Sequence, residues 1–327
     1  MATYLKGVAY HLPERVLSND DLVRLNPTWN ADTLFRKTGI RERRISAEGE
    51  TSVDLAEQAA RKLLNETAFP AGEIDVLIFC SQTADYLSPA SSCVLHERLG
   101  LSTHCGVFDF NLGCSGFTYG LWLASALINS QSARSVLLLT ADTLSKECAA
   151  GDQVTVPIFG DGAGATLLTA ERTGAIGQVG ETLVGTDGRG WGHLKIAGGG
   201  SRCPSLPRQI EMNGAEIFNF TLTSVSGAIS ALLERSALTW QQVDRFLLHQ
   251  ANGFILETLR KRMKLEPERC PIDVAETGNT SCASLPLLLR RCLDRGDVQP
   301  GHLCVLAGYG VGYSWAVTPL TLLSEGG

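Results

Sequence analysis

Phe108-Asp-Phe-Asn-Leu-Gly-Cys-Ser-Gly-Phe117 joins a β-rich run to a stretch of small residues with helical spacing, and Cys114 stands at the join between Gly113 and Gly116. A thiol at a strand-to-helix junction lies near the positive end of a helix dipole, which favours thiolate and makes the sulfur a nucleophile near neutral pH. The flanking glycines let backbone and substrate approach closely, and a sharp turn presents the sulfur to a cavity. A cysteine in an apolar setting is usually an inert core residue. The junction and its glycines set Cys114 apart.

Working outward, short runs rich in Val, Ile, Leu and Phe recur at Val76 to Cys80, Val107 to Phe110, Val136 to Thr140 and Ala165 to Ala170. The second half repeats the rhythm at Phe246 to His249, Pro271 to Val274, Leu303 to Ala307 and Ser314 to Leu320. This predicts an α/β fold with a buried, mostly parallel sheet, built from duplicated halves. The loops Asn111 to Ser115 and Gly278 to Ser281 occupy corresponding places, and each opens a small-residue helix. Two such helices buried side by side at a pseudo-twofold axis would bring Cys114 and Asn279 to one spot. Residues 1–175 read as an N-terminal half carrying the cysteine, 176–210 as a Gly/Pro-rich connection, and 211–327 as a C-terminal half. Within the connection, 185–207 reads as irregular or as a mobile surface loop; helical spacing resumes from Met212 to Glu234.

His249 ends the apolar run Arg-Phe-Leu-Leu-His, at the sheet edge where open α/β sheets place ligands. The other five histidines lie in polar or turn-like settings. Asn279, in Gly-Asn-Thr-Ser, suits a helix cap; beside an imidazole its amide can also stabilise a developing enolate without titrating. Gly160-Asp-Gly-Ala-Gly-Ala precedes its strand, the reverse of a dinucleotide fingerprint, and reads as a turn. Gly308-Tyr-Gly-Val-Gly-Tyr-Ser-Trp reads as a hairpin that can offer backbone N–H groups. Arg36 to Arg44 packs five basic residues into nine positions, either a solvated face or an attractor of phosphates or an acidic carrier.

A chain of 327 residues, 44% hydrophobic, can bury a large core. A net charge of -6 gives no reason to expect nucleic acid. The N-terminal stretch has no signal core, and no apolar run reaches the ~18 residues of a membrane span. A cytoplasmic protein without membrane contact is expected. The ten cysteines include no Cys-x-x-Cys pair, so neither a metal site nor a disulfide framework is expected.

Taken together, Lys-Thr-Gly-Ile-Arg-Glu-Arg-Arg-Ile from Lys37, the loop at Cys114, Ile-Phe-Gly-Asp-Gly-Ala-Gly-Ala from Ile158, His-Gln-Ala-Asn from His249 and Gly-Asn-Thr-Ser from Gly278 closely resemble the β-ketoacyl-acyl-carrier-protein synthase III family of the thiolase superfamily. The resemblance covers essentially the whole chain. It implies a thiolase fold, a five-layered αβαβα sandwich, in a homodimer, with a catalytic triad of Cys114, His249 and Asn279. It implies that Cys114 takes an acyl group from an acyl-coenzyme A or acyl-carrier thioester. A malonyl-acyl-carrier-protein then loses carbon dioxide and condenses with that acyl group to a 3-oxoacyl thioester. The oxyanion would be held by the backbone N–H groups of Cys114 and Val311. No cofactor is implied beyond the coenzyme A or phosphopantetheine that arrives with the substrate.

By the same resemblance, Lys37, Thr38, Gly214, Phe218, Ala251 and Asn252 line the substrate tunnel. Asp85, Tyr86 and Leu87 shape the acyl pocket, with Leu87 near the dimer boundary; by their chemistry, Asp85 and Tyr86 either admit a polar or hydroxylated acyl chain or, the favoured reading, pair with a neighbouring residue. Lys261 and Arg262 form part of a docking patch for acyl-carrier protein. The chain departs from the family pattern at Thr33 and Gln153, where coenzyme A-specific members grip adenine, and at Asn219 and Phe254 in the docking patch. These departures suggest a specialised homologue. The alternatives to the condensation are a specialised-metabolism homologue that acylates another carbon, oxygen or nitrogen nucleophile, and a non-catalytic carrier-binding subunit.

Overall fold

The computed structural model describes residues 2–324. Its strands are β1 (Thr3–His11), β2 (Val16–Ser18), β3 (Glu42–Arg44), β4 (Val76–Cys80), β5 (Gly106–Phe110), β6 (Ser135–Asp142), β7 (Gly162–Thr169), β8 (Gly177–Val179), β9 (Leu183–Thr186), β10 (Leu194–Ile196), β11 (Ile210–Met212), β12 (Arg245–Leu248), β13 (Leu303–Gly310) and β14 (Ser314–Leu322). Its helices are α1 (Asn19–Leu25), α2 (Ala31–Thr38), α3 (Ser52–Thr67), α4 (Ser91–Leu99), α5 (Gly116–Asn129), α6 (Gly214–Arg235), α7 (Gly253–Arg262) and α8 (Ser284–Arg295). The main sheet runs β12-β13-β14-β8-β1-β7-β6-β4-β5, with β9 added against β14. The short β8 is the join: Gly177 pairs with Leu5 on one side and Leu322 on the other.

Side-chain alternation turns this sheet into five layers, because successive residues of a strand face opposite ways. In the N-terminal half, Leu77, Phe79, Leu137 and Leu139 point outward to a core shared with α3 and α4. Between them Ile78, Val136 and Leu138 point inward to Phe117, Leu121 and Ala124 of α5. In the C-terminal half, Phe246, Leu248 and Val305 face α6 and α7, while Leu247 and Leu306 face the same inner core as Leu285, Leu288 and Leu289 of α8. Thus α5 and α8 form the middle layer. Strands covered on both faces need continuous apolar runs, which explains the sequence rhythm.

The sheet is mixed rather than mostly parallel. Among the described strands of the main sheet, parallel pairing is confined to β4–β5, β4–β6 and β12–β13, whereas β6–β7, β1–β7 and β13–β14 are antiparallel. A continuous apolar run reports burial on both faces, not strand direction. The run Pro271 to Val274 forms no strand: proline brings no N–H, and the Asp273 N–H donates to Gln250 Oε1 at 2.7 Å instead of to a ladder. The Gly/Pro-rich connection 176–210 carries β8, β9 and β10; within 185–207, expected to be irregular, β10 is regular and pairs with β11.

At 22 residues α6 is long and apolar enough to cross a membrane by length and composition, which the expectation from apolar runs overlooked. Its Val225, Ile229, Leu232 and Leu233 pack with Phe246 and Val305 in the outer core instead. On the opposite side of α7, α2 ends at Gly39, whose φ is +69°, and a Cβ there would lie 2.8 Å from Gly253 Cα. That backbone contact positions the start of α7. Gly39→Ala should therefore strain the turn and push α7 away, lowering stability by ~1–3 kcal/mol in thermal unfolding; an unchanged Tm would show that the contact does not hold α7.

Candidate active site

Cys114 follows β5 and precedes α5, whose N-cap, Ser115, is fully buried. The Ser115 hydroxyl meets that of Ser314 at 2.6 Å, and the Ser314 hydroxyl donates to the Val311 carbonyl at 2.8 Å. These bonds tie the start of α5 to the turn between β13 and β14. The end of β13 lies directly on the cysteine, since a Cβ at Gly310 would sit 2.8 Å from Cys114 Cβ and 3.2 Å from its Sγ. Only glycine permits that approach. Neither the Cys114 N–H nor the Val311 N–H has a partner among the described residues.

His249 sits just past β12 and is 1% exposed. Its Nδ1 is 2.6 Å from the hydroxyl of Ser284, the first residue of α8, which also accepts the Gln250 N–H at 3.4 Å. The ring stands edge-on to Tyr309, whose hydroxyl donates to the His249 carbonyl at 3.1 Å. With Nδ1 occupied, Nε2 is the nitrogen left for the cavity. A serine hydroxyl can donate or accept, so it supports either imidazole tautomer.

Asn279 is not the cap of α8, which starts at Ser284 after a single 3₁₀ turn, Ser281–Ala283. Its Oδ1 accepts the Ser281 N–H at 2.9 Å, which leaves its NH₂ group as the free donor end. Its backbone is clamped on both sides: Asn279 N–H donates to Ile158 O at 2.8 Å and Gly160 N–H donates to Asn279 O at 3.0 Å. The Gly160 turn therefore holds Asn279 in place. Arg43, fully buried, supports that turn from below, donating to Leu17 O, Asn19 Oδ1 and Pro157 O at 2.9, 2.7 and 2.9 Å. The buried Asp161 accepts the N–H groups of Ser46 and Ser145 at 2.7 and 2.9 Å. Of the basic run, Arg43 is thus structural and Arg44 donates to Pro13 O, leaving Arg36, Lys37 and Arg41 on the surface.

Cys114, His249 and Asn279 line one cavity of about 130 Å³. Of the expected tunnel residues, Gly214, Ala251 and Asn252 line it too. The other three lie outside its lining. Lys37 is exposed on the last turn of α2; the Thr38 hydroxyl is used locally, donating to Leu34 O at 2.7 Å; and Phe218 stacks on Phe254 with ring centroids 5.7 Å apart. Lys261 and Arg262 are exposed in the last turn of α7.

Asp85, Tyr86 and Leu87 do not touch the cysteine's pocket but line an outer cleft of about 580 Å³. Asp85 is paired, accepting the Thr51 hydroxyl at 3.0 Å, while Leu87 is 98% exposed. The pocket against Cys114 is walled by Leu144, Phe159, Ile196 and Ile210 instead. Leu144, Ile196 and Ile210 come from scattered segments whose local patterns signal only burial; Phe159, Ser284 and Tyr309 lie in or beside motifs legible in the sequence, but nothing local says that they face the site.

Burial pushes the Cys114 thiol up to about 12, and the carboxylate of the fully buried Asp142 adds to the rise. The dipole at the start of α5, worth about 0.3–2 kcal/mol, is the smaller effect, so the resting site holds a thiol, contrary to the thiolate expected from the junction. Burial also lowers His249 to about 3, and the positive end of α8 at Ser284 opposes an imidazolium as well. A neutral imidazole next to a protonated thiol is the resting state. Alkylation of Cys114 by iodoacetamide should therefore keep rising from pH 6 to pH 10 with no histidine inflection; a plateau set by a group titrating near 6 to 7 would indicate a thiolate–imidazolium pair instead.

The profile described as 3-Oxoacyl-[acyl-carrier-protein (ACP)] synthase III matches residues 108–188, and its C-terminal counterpart matches 233–322. The chain is 34% identical to the beta-ketoacyl-[acyl-carrier-protein] synthase III of Caldanaerobacter subterraneus subsp. tengcongensis, over 97% of this chain and 96% of that one. Among solved structures, one 3-oxoacyl-(acyl-carrier-protein) synthase III is 42% identical with a TM-score of 0.94, covering 98% of this chain and all of that one. The 3-oxoacyl-(acyl-carrier protein) synthase of Burkholderia xenovorans LB400 is 35% identical with a TM-score of 0.91, covering 99% of this chain and 95% of that one. With its two matched segments, its thiolase fold and this likeness along its whole length, the chain belongs to the 3-oxoacyl-[acyl-carrier-protein] synthase III family.

Proposed function

We propose that this protein is a ketosynthase III-type acyltransferase that joins an acyl group to malonyl-acyl-carrier-protein by decarboxylative Claisen condensation. The observation that carries this reading is the single cavity shared by a buried thiol, a neutral imidazole and a free amide donor end. His249 Nε2 takes the thiol proton as Cys114 Sγ attacks the donor thioester; the donor's carbon–sulfur bond breaks, and its thiolate leaves with that proton. The backbone N–H groups of Cys114 and Val311 hold the oxyanion. The malonyl thioester then loses carbon dioxide, and His249, with its proton now on Nε2 and the Ser284 hydroxyl donating to Nδ1, donates together with Asn279 to the enolate oxygen. Two neutral donors suit a developing anion, because neither has to lose a charge to water. The enolate carbon attacks the acyl-cysteine, a carbon–carbon bond forms, the carbon–sulfur bond to Cys114 breaks, and the released Cys114 thiolate takes up a solvent proton to return to the resting thiol. The thioester supplies the activation, so the reaction needs no resident cofactor.

Acyl-carrier protein is the proposed partner, drawn to the exposed Lys261 and Arg262 on α7 with Lys37 on the neighbouring α2. A homodimer is supported by β5, an edge strand that among the described residues pairs with β4 alone and carries the exposed Phe108; Trp122 on α5 is exposed as well. Two copies joined at β5 would continue the sheet and cover this face. Ten unpaired cysteines suit the reducing cytoplasm.

Intact-protein mass spectrometry with a panel of acyl-coenzyme A and acyl-carrier thioesters should show one acyl group added to the wild type and none to Cys114→Ala. His249→Ala and Asn279→Ala should each slow malonyl-carrier decarboxylation by ~100-fold or more; wild-type decarboxylation in either variant would remove them from the enolate site. Phe108→Asp should sediment as a monomer where the wild type sediments as a dimer, and an unchanged dimer would place the interface elsewhere.

A further inference from the structure

The pocket against Cys114 holds about 20 Å³ and is apolar apart from Gln82 and Lys195. The Lys195 ammonium is committed to Glu211 at 3.1 Å. Gln82 is not committed in the same way. Its main-chain N–H donates to Asp142 Oδ1 at 2.7 Å, and its side-chain Oε1 accepts the Ser281 hydroxyl at 3.1 Å. Ser281 is itself held with φ at +52° by the bond from its N–H to Asn279 Oδ1. The oxygen end of the Gln82 amide is thus anchored, through Ser281, to the same asparagine that faces the cavity. A Cβ at Gly113 would lie 2.5 Å from Gln82 Oε1, so the amide abuts the residue just before the nucleophile.

With the oxygen end anchored, the NH₂ end is left for the pocket, and it has no protein partner among the described residues. A lone donor on an apolar wall sets specificity: a plain alkyl chain leaves it unsatisfied at a cost of ~1–3 kcal/mol, and an acceptor oxygen removes that cost. The pocket shares Gln82, Leu194, Lys195, Ile196 and Val311 with the outer cleft of about 580 Å³, which gives the remainder of a chain somewhere to go.

Building on the ketosynthase reading, we infer that Gln82 makes this protein selective for acyl donors that carry a hydrogen-bond-accepting oxygen, carbonyl or hydroxyl, close to the thioester. Ser281 acts as a positioning residue that orients the amide.

The test is a competition for Cys114, read by intact mass, between 3-oxobutanoyl, 3-hydroxybutanoyl and butanoyl thioesters of one carrier. The wild type should take at least one oxygenated donor about tenfold faster than butanoyl. In Gln82→Leu that ratio should collapse to within about twofold, chiefly through faster butanoyl transfer. Ser281→Ala should narrow it through a released amide. Equal or faster butanoyl transfer in the wild type overturns the inference without any variant, as does a preference that survives Gln82→Leu; in both cases acylation itself still upholds the ketosynthase reading. No acyl transfer from any donor would bring down that reading, and this inference with it.

Discussion

Burial of α5 and α8 between the two half-sheets is the constraint on which the rest of this structure depends. Strands from both halves contribute to the core around these helices, so their starts must converge where the sheets' carboxyl ends meet. Cys114 precedes one start and Asn279 precedes the other. His249 is then fixed from two sides, by the end of β12 and by the first hydroxyl of α8. The chemistry is assembled by helix packing rather than by any local motif.

The same burial sets the electrostatics. A site dry enough to raise a thiol to about 12 and lower an imidazole to about 3 does not store an ion pair at rest. It disfavours any charge that arrives without hydrogen-bond donors waiting for it. Donors are waiting: the N–H groups of Cys114 and Val311, which have no partner among the described residues, the Asn279 amide and the His249 ring. A dry pocket with preset donors stabilises a transient oxyanion or enolate more than it stabilises a standing thiolate.

Support for these donors comes from residues that never reach the cavity. Arg43 and Asp161 anchor the turn that clamps Asn279, and the paired hydroxyls of Ser115 and Ser314 couple the segment of Cys114 to the turn carrying Val311. Glycine at 310 lets the end of β13 rest on Cys114 with no side chain between them. Part of what looked like a binding run from Arg36 to Arg44 is therefore scaffold. A buried arginine with its guanidinium on backbone carbonyls spends its charge on holding loops together.

The sequence by itself determined the alternation of apolar runs and small-residue helices, and its contiguous motifs pointed to Cys114, His249 and Asn279, which line one cavity. It also carried Gly214, Ala251 and Asn252 to the cavity. Strand direction was not legible, because burial on both faces leaves the same apolar run in parallel and antiparallel strands. Nor was the absence of a strand at Pro271 to Val274, where a glutamine far along the chain takes the Asp273 N–H. The wall beside Cys114 was decided by tertiary structure: Gln82, Leu144, Phe159, Ile196 and Ile210 come from five separate segments, and packing brings them together. The protonation states were decided there too, because desolvation depends on everything that surrounds a group, and a helix dipole read from local sequence is one small part of that surrounding.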